Sequence, residues 1–244
     1  MKIRLHRIIS SIAILFSMHV FAEKLPEEQL HEDCLKINHY IAMADKLYKA
    51  RKYQQAREKY EQQVALSEAC QLSDDKIATA YNNVALTYIH SGEFLKANVW
   101  LNIIKSNEKS MFNLDRNRAL IANAEDKAKK QITGTYWSYT GLGFWSTIKV
   151  AKKGNGNYNL EFNGFHPNQL ALYGGVNTGE FYTTLAIKNN KARYVMDPGT
   201  EGDCTFDFTF DNNNLYVKRI AGELTECGFG ANVTAEGSYY KVHE

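Results

Sequence analysis

Past its first 22 residues this 244-residue chain has no apolar run long enough to cross a bilayer, so no membrane span is expected there. A basic excess is missing too. Outside that leader, 26 Lys and Arg face 27 Asp and Glu. Nucleic acid is therefore not expected as a partner, because neutralising phosphates takes a clustered surplus of cations. The five histidines after residue 22 are scattered, with no His-x-x-x-His or Cys-x-x-Cys spacing to hold zinc. No Gly-x-Ser-x-Gly, phosphate loop or kinase-type set occurs either. These gaps leave no catalytic residue, cofactor or metal to expect, and they point away from an enzyme.

Glycine is almost absent from the first half. Only Gly92 of the sixteen precedes residue 131, while nineteen aromatic residues follow it, which places a domain boundary near Gly134. Residues 23–131 read as Ala, Gln, Glu, Lys and Leu at helical spacing; residues 132–244 read as short Tyr, Phe, Thr and Val runs between Gly-Asn turns. The leader, residues 1–22, has Lys2, Arg4 and Arg7 ahead of an apolar run over 8–21 and then Ala22. That is a signal-peptide pattern, so a periplasmic or secreted protein starting near Glu23 is expected.

The helical half repeats itself. Tyr81, Val84, Ala85 and Tyr88, a break at Gly92, then Phe94, Ala97 and Leu101 are echoed by Tyr40, Met43, Ala44 and Leu47, then Tyr53, Ala56 and Tyr60. Small residues stand where paired helices approach and large ones fill the gaps between. The layout resembles the tetratricopeptide repeat, closely over 78–110 and loosely over 37–70. It departs from that family in a 41-residue spacing, in Arg51 at the turn glycine and in having two copies. Residues 114–131 read as a capping helix; an ordinary helical hairpin bundle is the alternative. The resemblance implies a concave groove for a protein partner, lined here by Asn38, Asp45, Asn82, Leu86 and His90. The same helices would serve equally as a platform packed on the second half.

In an exported chain four cysteines are expected to be bridged. Cys34 at the start of the first repeat pairs with Cys70 at its end, and Cys204 pairs with Cys227 inside the second half. The segment Cys227-Gly-Phe-Gly is then a structural turn around a staple, since no base flanks Cys227 and no helix follows the glycines.

About eight short strands are legible after residue 133, at 134–140, 145–152, 157–163, 180–188, 191–197, 204–211, 215–220 and 232–242. They predict an antiparallel β-barrel or β-sandwich. The clearest is residues 204–211, where Cys204, Phe206, Phe208 and Phe210 face one way and Thr205, Asp207, Thr209 and Asp211 the other. Trp137, Tyr139 and Trp145 crowd a Gly-rich turn and form a candidate aromatic surface for protein or for sugar rings, with core burial expected for at least half of the aromatics around that turn. The loop 197–203 carries three acids and reads first as a solvated loop, with a basic partner as the alternative. Residues 204–241 resemble the closing segment of exported bacterial lysozyme-inhibitor-like β modules. That likeness implies a protein-binding role at the cell envelope, in its sharpest version as an inhibitor or immunity protein against a wall-degrading enzyme. Carbohydrate or peptidoglycan binding is the alternative, and an uncharacterised hydrolase the third.

Overall fold

The computed structural model describes residues 25–196 and 203–244; the expected leader and all of the acidic loop except Asp203 lie outside the described residues. Seven helices come first: α1 (Pro26–Leu35), α2 (Ile37–Lys49), α3 (Tyr53–Ala69), α4 (Asp74–His90), α5 (Phe94–Asn102), α6 (Glu108–Arg116) and α7 (Arg118–Ala128). Eight strands follow: β1 (Gly134–Gly141), β2 (Phe144–Gly154), β3 (Asn157–His166), β4 (Asn177–Ala186), β5 (Lys191–Val195), β6 (Thr205–Asp211), β7 (Asn214–Ala221) and β8 (Gly237–His243). A single turn of helix, α8 (Ala171–Gly174), interrupts the β3–β4 connection. No helix among the described residues is long and apolar enough to cross a membrane.

The repeat is carried by its small residues. Ala44 and Ala85, and Ala56 and Ala97, are equivalent positions in the two copies, and all four are fully buried where α2, α3, α4 and α5 pack in succession. α4 shows how local signals place an element. Asp74 and Asp75 sit in its first turn, where carboxylates complement the helix dipole, and Gly92 (φ 75°) ends the hairpin's first arm. Arg51 occupies the matching turn of the first copy and is forced to φ 59°. A left-handed backbone is awkward for a residue with a Cβ. Arg51→Gly is therefore expected to stabilise the protein by about 0.5–1 kcal/mol, readable as a higher urea midpoint; an unchanged or lower midpoint would contradict it.

Two expectations need correction here. The capping helix expected over 114–131 is divided at Asn117 into α6 and α7, with α6 starting earlier, where the Asn107 side chain accepts from the Lys109 N–H (3.0 Å). And Cys34 does not begin the first repeat helix. It sits at the end of α1, a helix started by Pro26 with Glu27 and Glu28 in its first turn. The expected pairing nonetheless forms: Cys34 bridges to Cys70 (Cα–Cα 5.9 Å) and Cys204 to Cys227 (Cα–Cα 5.3 Å). Two intramolecular disulfides fit an oxidising, extracytoplasmic environment.

The strands make one antiparallel sheet in the order β4-β3-β2-β1-β8-β7-β6-β5. Its single pairing between strands distant in sequence, β1 with β8, curls the sheet into a nearly closed barrel. β4 and β5 stand at the two ends of that order; a turn closed by the bridge between Lys188 and Lys191 joins them, and no ladder is formed between them among the described residues, which leaves the barrel open there. Cys204, Phe206, Phe208 and Phe210 all point into the barrel with Tyr136, Phe162 and Tyr239. On the outer face, Arg193 donates twice to Asp207 (2.7 and 2.8 Å). The last strand starts later than expected, at Gly237, because Asn232 takes φ 61° and the preceding segment wraps across one end of the barrel. There the Phe229 ring lies against Gly179, where any Cβ would clash with it, and packs 5.5 Å from Phe162; the Gly230 N–H donates to the Thr178 carbonyl (2.8 Å). Cys227-Gly-Phe-Gly is thus a plug held by its staple.

Candidate functional site

The expected aromatic surface is where the two halves meet. Trp145 lies 5.0 Å from Trp100 of α5 and 4.8 Å from Tyr139, while Tyr139 lies 5.6 Å from Tyr81 of α4 (ring centroids). Trp137, Tyr139 and Trp145 all pack onto the helical core. They are half-buried by their own chain, which corrects the expectation of an open platform for sugar rings: strand alternation turns these side chains outward from the barrel, and α4 and α5 cover them.

Glu68 of α3 fastens this contact. Its carboxylate accepts from the hydroxyls of Tyr81 (2.9 Å) and Tyr139 and from the Leu142 N–H (2.8 Å) in the β1–β2 turn, while the Gly143 N–H donates to the Tyr139 oxygen (3.0 Å). Burial and the adjacent Glu68 charge hold both phenols well above their ordinary range. Elsewhere along the boundary, the buried Lys241 donates from Nζ to the carbonyls of Ala128 (2.9 Å) and Gln131, at the C-terminal end of α7. Nothing local in the sequence marks Glu68 and Lys241, since their partners across the boundary lie 71 to 113 residues away.

Nor do the five groove residues converge. Asn82 is buried under α6, with its amide donating to the Ser110 Oγ (2.9 Å) and accepting from the Asn113 Nδ2 (2.7 Å). Asp45 is engaged by the Tyr60 hydroxyl (2.6 Å), and His90 stacks on Tyr53 (4.9 Å between rings). Leu86 is half-buried on α4. α6 folds back over the face of α4 that would have lined the groove, and this overturns Asn82 as a contact residue.

Asn38 alone of the five lines a cleft, one of about 320 Å³ between α2, α3 and α4. Ile37 and Ile41 share its α2 wall; Gln63 and Ser67 come from α3, and Lys76 and Thr79 from α4. Ser67 is only 1% exposed, yet its Oγ has no hydrogen-bond partner. Gln63, also buried, accepts from Asn83 (3.2 Å). The one charged lining residue is Lys76, so the cleft offers two amides, hydroxyls and an ammonium beside an apolar wall. Such a set recognises polar backbone groups and negative charge. Gln63 and Ser67 lie four apart on one helical face, a signal visible in the sequence but indistinguishable there from a solvated stripe.

Compared with protein-family models, curated proteins and solved structures, the chain matches none. Both resemblances accordingly rest on the residues quoted for them.

Proposed function

We propose that this is an exported bacterial protein-binding module of the cell envelope, periplasmic or secreted, which holds a segment of a partner protein in the α2–α4 cleft. The observation that carries the reading is the Ser67 hydroxyl, unpartnered and buried at a cleft that also presents Asn38, Gln63 and Lys76. A buried polar atom without a partner is costly unless a ligand or water completes it. The inhibitor or immunity role is the sharpest form of this reading. The glycan alternative loses support from the packing of Trp137, Tyr139 and Trp145 against the helices.

Affinity capture from envelope extracts with the native protein and with Ile41→Asp tests it. One protein retained by the native chain and lost by at least about tenfold with the variant, a difference of about 1.4 kcal/mol, is the expected result. Equal retention by both, or sedimentation with insoluble peptidoglycan and no protein captured, would overturn it. Suppression of a lysozyme-type or amidase activity by saturating protein checks the inhibitor form.

A further inference from the structure

The two disulfides differ in setting. Cys204 and Cys227 are 1% and 2% exposed, and the barrel bridge is so enclosed that a Cβ on Gly222 would fall 2.9 Å from the Cys204 Sγ. Cys34 and Cys70 are half-buried, and Cys34 lines the α2–α4 cleft. A disulfide is attacked at rates set in part by access to its sulfurs.

What the accessible bridge holds is α1. That ten-residue helix buries a single side chain, Leu30, and its Asp33 carboxylate accepts from the Tyr173 hydroxyl (2.8 Å). A helix of this length has little stability of its own in water. Beneath it lies an apolar face made from both halves: Leu66 and Ala69 of α3, Leu142 of the β1–β2 turn, and Leu170, Leu172 and Tyr173 around α8. Gln169 ties that segment back to α3 by donating to the Ala69 carbonyl (2.9 Å), so the face persists without α1.

We propose that α1 is a strap latched by Cys34–Cys70, and that thiol–disulfide exchange at this bridge, ahead of Cys204–Cys227, releases the strap and uncovers the apolar face. The exchange balances with a dithiol as reductant. Its first thiolate attacks one sulfur and forms a mixed disulfide; the displaced sulfur leaves as a thiolate and is protonated. The second thiol then closes the reductant's own disulfide, so that two electrons pass and Cys34 and Cys70 end as thiols.

The test is a time course of the intact oxidised protein in dithiothreitol without denaturant, trapped by alkylation and read by peptide mass. Limited proteolysis and binding of an apolar dye are followed alongside. Cys34 and Cys70 are expected to become alkylated at least about tenfold faster than Cys204 and Cys227, with cleavage inside residues 25–36 and a rise in dye fluorescence keeping pace. A double variant, Cys34→Ser with Cys70→Ser, should show that cleavage and dye binding without reductant. Reduction of both bridges together, or of the barrel bridge first, would overturn the proposal. So would a reduced protein in which α1 stays protected, and this readout from the native chain decides the matter even where the double variant fails to fold.

Discussion

Trp145→Ala is expected to destabilise the protein by about 3 kcal/mol, the cost of a cavity left by a packed aromatic ring. Domains of this kind have about 5–15 kcal/mol in total, so the urea midpoint should fall by a large fraction. The ring touches Trp100, Trp137 and Tyr139, and its removal strips contacts from both halves at once. Trp145→Phe separates shape from polarity. It keeps most of the ring contact and deletes an indole N–H that is buried without a hydrogen-bond partner, so it should cost less than about 1.5 kcal/mol. A loss below about 0.5 kcal/mol for Trp145→Ala, the range of a surface change, would mean that the contact between the halves is not core.

Alkaline pH is expected to unfold the protein cooperatively. Burial holds the phenols of Tyr81, Tyr136, Tyr139 and Tyr239 above their ordinary range, with the charge of Glu68 adding to the rise at Tyr81 and Tyr139. The fold thus favours the neutral phenol. Above about pH 10 the unfolded chain loses these protons while the native one keeps them, so stability falls as pH rises, by about 1.4 kcal/mol per unit for each fully buried phenol. Tyr81, Tyr136 and Tyr239 are buried to that degree and the half-buried Tyr139 adds a smaller share, enough together to exhaust a typical stability within about two pH units. Lys241 acts in the opposite sense at lower pH. Burial pulls its ammonium down to about 8, so between there and its ordinary value the unfolded chain binds the extra proton and stability rises with pH. Its hydrogen bonds to the end of α7 work against that pull, which makes the rise smaller than the later fall. The combined profile should peak near pH 9–10 and collapse near pH 11–12. Circular dichroism and tyrosinate absorbance, followed together, are expected to change in one step. Ionisation of these tyrosines while the helical signal survives would contradict the assignment.

How much could be read in advance depended on the range of the deciding contact. The strand at 204–211 was legible because its Phe and Asp alternate within eight residues, and the disulfide pairing because each bridge stays inside one half. Barrel and sandwich could not be separated, since the choice lies in the β1–β8 pairing, which joins Trp137 to Tyr240 across the whole second half. The same reason defeated the aromatic surface. Nothing near Trp137, Tyr139 and Trp145 in the sequence reveals that Tyr81 and Trp100 cover them. Asn82 misled because an amide at a repeat position looks like a groove residue until α6 is seen folding over it. In each of these places the local pattern is real and a distant element determines its use.

All three tryptophans, Trp100, Trp137 and Trp145, belong to the contact between the halves, so their fluorescence reports that contact while the 222 nm circular dichroism reports the helices. Urea unfolding monitored by both signals is the most direct test of a core shared by the helical and β halves. Superimposable curves with one midpoint are expected. A fluorescence transition complete before the helical signal begins to fall would show two bodies merely in touch, and would contradict the shared core.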